Sequence, residues 1–112
     1  MVIGSQSAAF DVELTVTAPF TGVAQLLGIL TNTPAILLVS NDSDTTAFFA
    51  DNSGTTNGTT MVAGKQMVLD LNTNRYGTTD ALTFNKGTKF YVTGSGGTGA
   101  FRVGVIYAKG ST

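Results

Sequence analysis

Few residues in this chain could do chemistry. Histidine, cysteine and tryptophan are all absent from its 112 residues. That removes the usual general base, thiolate nucleophile and imidazole metal ligand together. A serine nucleophile would lack a base, because no motif surrounds any of the six Lys and Arg residues. Asp11 and Glu13 alternate along one segment, which places both carboxylates on one side of a strand. Paired carboxylates support glycoside hydrolysis, but acids alternating along a strand read first as a solvated face. Asn41, Asp42, Asp44 and Asp51 form an oxygen-rich group of the kind that holds calcium. Their spacing does not match the calcium loop with its terminal glutamate, and Asx residues commonly bond their own turn backbone. The stretch GSGGTG at 94–99 lacks the Lys-Ser/Thr ending and strand-to-helix setting of a phosphate loop, so it reads as a flexible hairpin connection. Tyr76 beside Arg75 is the best platform for a sugar ring, with incidental packing of a turn tyrosine as the plainer reading. The sequons at Asn41 and Asn57 matter only in a eukaryotic secretory setting. No catalytic residue, cofactor or metal ligand is assigned.

The composition points toward association. Six basic residues against seven acidic ones leave no basic cluster to neutralise phosphates, which excludes nucleic acid as a partner. Charged residues make up 12% of the chain, against about 25% in a typical soluble domain. A surface so poor in charge does little to prevent contact with other subunits. No apolar run approaches the roughly 18 residues of a membrane span, so no membrane partner is expected. The opening MVIGSQSAAFDVELTV has neither a basic start nor a continuous apolar run, so it does not read as a signal peptide. The expectation is synthesis in the cytoplasm and delivery by assembly.

The elements that would position these residues are strands. Period-two alternation runs through AFDVELTV, QMVLDL, KFYVT and FRVGVIYA. It predicts Phe10, Val12, Leu14 and Val16 on one face, then Met67, Leu69 and Leu71, then Phe90 and Val92, then Phe101, Val103, Val105 and Tyr107. AILLV at 35–39 is continuously apolar, as in a strand covered on both faces. TTAFFA at 45–50 and ALTF at 81–84 have strand composition. VAQLLGIL at 23–30 has a helix-like stripe interrupted by Gly28, and it reads as a strand because a mid-helix glycine costs about 1 kcal/mol. Turn chemistry falls at Asn57-Gly58, Asn85 to Thr88, Ala63-Gly64-Lys65 and Asn41 to Asp44. The sum is one all-β domain over 1–112, a jelly-roll-like sandwich of about eight antiparallel strands. Residues 1–9 would form a flexible or docked arm.

The order AILLVSN, AFFADN, MVAGKQMVLDLNTN, ALTFNKGTKFYVTGSGGTGAFRVGVIYAKG, over roughly residues 35–110, resembles the small capsid decoration proteins of tailed bacteriophages, the cement or staple proteins. The resemblance implies a jelly roll on the capsid surface of a virion, bound to the major capsid protein. It further implies a homo-oligomer, dimer or trimer, that reinforces the shell against packaged DNA, with no catalytic residues. Outward apolar residues then become candidate contacts: Val68, Tyr91, Ile106 and one of Phe48 and Phe49. The other reading of each is a second buried face. The alternative function is a glycan- or host-ligand-binding module of a phage fibre or bacterial surface protein.

Overall fold

The computed structural model describes residues 7–54, 57–71 and 84–109. Among them it contains ten strands and no helix. One sheet holds β1 (Ser7–Phe10), β2 (Leu14–Thr17), β5 (Pro34–Asn41), β8 (Gln66–Asp70) and β10 (Ala100–Lys109). The other holds β3 (Phe20–Thr21), β4 (Gln25–Ile29), β6 (Ala47–Ala50), β7 (Thr59–Met61) and β9 (Lys89–Gly96). Every pairing is antiparallel.

Each sheet has the same plan. β1 and β2 lie end to end along β10, which is followed by β5 and β8; β3 and β4 lie end to end along β9, which is followed by β6 and β7. The ten segments therefore make eight columns, ordered 1-8-3-6 and 2-7-4-5 in chain numbering. That winding is a jelly roll, as the sequence predicts. Of the connections between columns, only β6 to β7 stays within a sheet. The turns at Asn41 to Asp44 and Ala63-Gly64-Lys65 therefore carry the chain from one sheet to the other and close no hairpin. Local turn chemistry sets where the chain bends, and the distant β partner sets which sheet it joins.

The core lies between the sheets. Phe49 of β6 stacks with Phe90 of β9 at 5.1 Å and with Phe101 of β10 at 5.6 Å, so three rings tie one sheet to the other. Leu37, Val39, Val103 and Val105 line the first sheet's inner face, opposed by Phe20, Met61 and Val92 from the second. Each such side chain contributes roughly 1.5–3 kcal/mol by burial, and ring pairs add about 0.5–1.5 kcal/mol.

Several expectations are corrected. The alternation from Phe10 to Val16 is two strands separated by an irregular stretch at 11–13, with Phe10 82% and Val12 73% exposed. Strand β1 begins at Ser7, inside the expected arm, and Ser7 to Ala9 pair with Lys109 to Tyr107. AILLV is covered on one face alone: Leu37 and Val39 are buried, whereas Leu38 is 40% exposed. The glycine-rich 94–99 is half strand, since β9 continues through Gly96, with Phe20 opposite Gly96. The segment 23–30 is a strand, as expected, with a bulge between Leu26 and Gly28 that turns Leu27 inward and leaves Leu26 and Ile29 outside. That break in alternation is what mimics a helical stripe. The proposed strand at 81–84, apart from Phe84, lies outside the described residues.

Candidate assembly faces

The polar residues with chemical potential are each held by neighbours in the chain. Asn41 is fully buried at the end of β5. Its amide nitrogen donates to the carbonyls of Thr45 (2.9 Å) and Met61 (2.7 Å). Its side-chain oxygen accepts from the backbone N–H of Ser43 (3.1 Å) and from the Ser43 hydroxyl (2.6 Å). Both donors and the acceptor are thus used to knot the β5–β6 crossover onto β7. Asp44 accepts from the backbone N–H (2.8 Å) and hydroxyl (3.0 Å) of Thr98, tying that crossover to the β9–β10 connection. Those bonds favour the ionised form and hold the Asp44 carboxyl below its ordinary range. Asp42 accepts from the Ser40 hydroxyl and from Arg102 Nε at 3.2 Å, while Asp51 accepts from the Asn52 amide. Of the four residues weighed as calcium ligands, Asn41 and Asp44 tie turns and crossovers, Asp42 pairs with Arg102 and Asp51 bonds its neighbour, so they do not converge on one point.

The carboxylate pair is likewise separated. Asp11 accepts from the Thr31 hydroxyl at 2.6 Å and from the Asn32 amide at 3.1 Å, and the Thr31 bond chiefly holds its carboxyl below the usual range. Glu13 faces Arg102 Nη1 at 3.4 Å. Tyr76 and Arg75, the sugar platform, lie outside the described residues. A cavity of about 320 Å³ opens beside β6 and β8, lined chiefly by Phe49, Phe84, Phe90, Met67 and Leu69.

What remains is apolar and broad. Cross-strand partners share a face, so the register fixes the outer surface of the first sheet. Phe10, Ile106 and Ile36 form one row across β1, β10 and β5, ending at Asp70 on β8. Gly104, Leu38 and Val68 form the next, with Val68 64% exposed. Arg102, Ser40 and Gln66 form the third. On the second sheet, Leu26 and Tyr91 share an outward row that ends at buried Ala50, beside Thr93, Phe48 and Thr60. Leu26 and Ile29 are exposed, Tyr91 and Phe48 half-buried.

The five candidate contacts thus divide. Val68 and Ile106 share the first sheet's outer face; Tyr91 and Phe48 share the opposite outer face, too far around the sandwich to join one contact. Phe49, 5% exposed, belongs to the core, because the period of two sends its neighbour Phe48 outward. Sequence reasoning missed Phe10, Ile36 and Leu38 on one side and Leu26 and Ile29 on the other. The usable signal was AILLV: five apolar residues in a row require a cover on both faces, and the chain supplies one.

Comparisons with protein-family models, with curated proteins and with solved structures find no match for this chain.

Proposed function

We propose that the protein is a structural subunit that decorates the outside of a bacteriophage capsid, staples neighbouring major capsid subunits and stabilises the shell against packaged DNA. The observation that carries this reading is the pair of open outer faces. A jelly roll whose core is already complete still exposes Phe10, Leu38 and Val68 on one sheet and Leu26 and Ile29 on the other. Contiguous exposed apolar surface marks contact sites. A staple must hold partners on more than one side, and a rigid sandwich with two such faces suits that task. The capsid resemblance supplies the partner; a homo-oligomer on the shell, free of nucleic acid and membrane, completes the reading.

Stapling has an energetic signature. A protein present at a hundredfold excess over its dissociation constant stabilises the bound state by about 2.7 kcal/mol per site. Repeated over a shell, that shifts the temperature of DNA release. Phage particles built from the cognate major capsid protein should bind it and release DNA at a higher temperature than bare particles. Equal release temperatures for decorated and bare particles would refute stapling.

A further inference from the structure

Asn57 is the one asparagine in the chain that glycine follows. The fold presents the pair at the surface, between β6 and β7 and directly before Thr59, where β7 begins. Asn57 and Gly58 are both exposed, and among the described residues nothing hydrogen-bonds the Asn57 amide. Other asparagines are held: Asn41 donates to the carbonyls of Thr45 and Met61, Asn32 to Asp11 and Asn52 to Asp51. Among the described residues Asn57 is also the one non-glycine with a left-handed backbone, at a φ of 57°.

We propose that Asn57 is a modification site, where the chain loses ammonia without an enzyme and becomes a mixture of aspartate and isoaspartate. The Gly58 nitrogen gives its proton to solvent base and adds to the side-chain carbonyl carbon of Asn57. The amide C–N bond breaks, ammonia leaves, and a five-membered imide closes. Water then opens the ring. Cleavage between the Gly58 nitrogen and the side-chain carbonyl gives aspartate; cleavage on the backbone-carbonyl side gives isoaspartate. Glycine favours the attack because no side chain shields its nitrogen and its backbone turns freely. The left-handed backbone at Asn57 holds that nitrogen away from the side chain, so closure first requires rotation about the Asn57 Cα–C bond. An exposed site with an untethered amide permits it.

Isoaspartate has a structural consequence. It lengthens the main chain by one carbon just before Gly58, which is closely packed: a Cβ there would collide with the Phe49 carbonyl oxygen and lie 2.8 Å from the Phe48 ring. The added length therefore strains the pairing of Thr59 with Phe49, whose ring stacks in the core. Either product also adds a negative charge on the rim of the cavity that Asp51 and Asn57 both line. The inference is independent of the capsid reading.

The test ages the purified full chain in warm, mildly alkaline buffer, where solvent base drives ring closure. Isoelectric focusing should show a form with one further negative charge on a chain of net charge −1, and peptide mass mapping should place the change at Asn57. Part of that form should be methylated by an isoaspartyl methyltransferase. Asn57→Gly keeps the left-handed backbone without an amide and should gain no acidic form. Fresh Asn57→Asp should melt close to fresh wild type, while the isoaspartate fraction melts several degrees lower. Equal melts for those two would overturn the strain assigned to β7. A folded chain that gains no acidic form over a time in which the urea-unfolded chain does, or one that changes at another asparagine instead, overturns the site.

Discussion

Phe10 and Leu14 lie on opposite sides of the same sheet. Phe10 pairs with Ile106 and Leu14 with Val103, so three intervening residues (11–13) face two (104 and 105) on the other strand. The extra residue at 11–13 exchanges inside for outside, as a one-residue slip must when side chains alternate with period two. The break is held by Asp11, whose N–H donates to the Val105 carbonyl at 2.9 Å while its carboxylate takes the Thr31 hydroxyl.

This exchange makes the two positions behave oppositely. Leu14→Ala should destabilise the domain by about 2–5 kcal/mol, because it empties a core site. Phe10→Ser, despite the larger deletion, should stay within about 0.5 kcal/mol under monomeric conditions. Urea unfolding of both variants checks the pair, and a large loss from Phe10→Ser would return Phe10 to the core.

The glycines give a second contrast. Gly58→Ala forces a methyl against the backbone oxygen of Phe49 and within 2.8 Å of the Phe48 ring. A cost of about 1–3 kcal/mol is expected from such overpacking. Gly104→Ala meets only ordinary contacts and should be neutral or stabilising by up to about 1 kcal/mol, since alanine has less backbone freedom to lose. Thermal melts of the two variants should move apart.

The sequence was most legible where alternation ran unbroken. QMVLDL, KFYVT and FRVGV place their side chains as period two requires, because nothing interrupts their ladders. It misled at Phe10, and at 23–30 it carried a helix-like stripe over a true strand, because bulges set by long-range pairing with β10 and β9 break the parity. No local pattern reports a distant partner's extra residue. Asn41 was legible only in part: its turn bonds to Ser43 and Thr45 are the local pattern expected of an Asx residue. An Asx residue in a turn suggests either a ligand or a local cap, while its role depends on Met61, twenty residues away. The assembly faces were half visible: Val68 and Ile106 followed from alternation, whereas Phe10 and Leu38 required the three-dimensional register.

Asn41→Ala should be among the costliest polar substitutions. It leaves the Met61 carbonyl without this donor and the Ser43 N–H without its acceptor in a fully buried site, while the Ser43 hydroxyl keeps its bond to the Thr45 carbonyl. Each stranded buried group costs about 1–3 kcal/mol, so a fall in melting temperature of ten degrees or more is expected, at roughly 4–8 °C per kcal/mol. A shift of only a degree or two in calorimetry would show that the knot is dispensable.

Acid should loosen the crossovers. The Thr98 bonds lower the Asp44 carboxyl in the folded state, and the Thr31 bond does the same for Asp11. Groups with depressed folded values contribute stability above their unfolded pKa and lose it as pH falls through the folded one. The stability gap between wild type and Asp44→Asn should therefore be largest near neutrality and shrink below about pH 4. Urea midpoints at neutral and acid pH measure it. A gap that persists unchanged in acid would mean that ionisation of Asp44 contributes nothing to the tie.

Two aspartate substitutions separate the two faces. Val68→Asp and Leu26→Asp both alter exposed strand positions, so neither should shift the melting temperature by more than a few degrees. Val68→Asp places a carboxylate on the outer face of the first sheet and Leu26→Asp on that of the second, where burying it unpaired in a contact is costly. If the chain staples through both faces, each variant should bind particles weakly through the remaining face, because the second contact is no longer intramolecular. Particle occupancy by gel densitometry and the temperature of DNA release would be read on the same preparations. Full occupancy and an unchanged release temperature for either variant would remove its face from the contact with the shell.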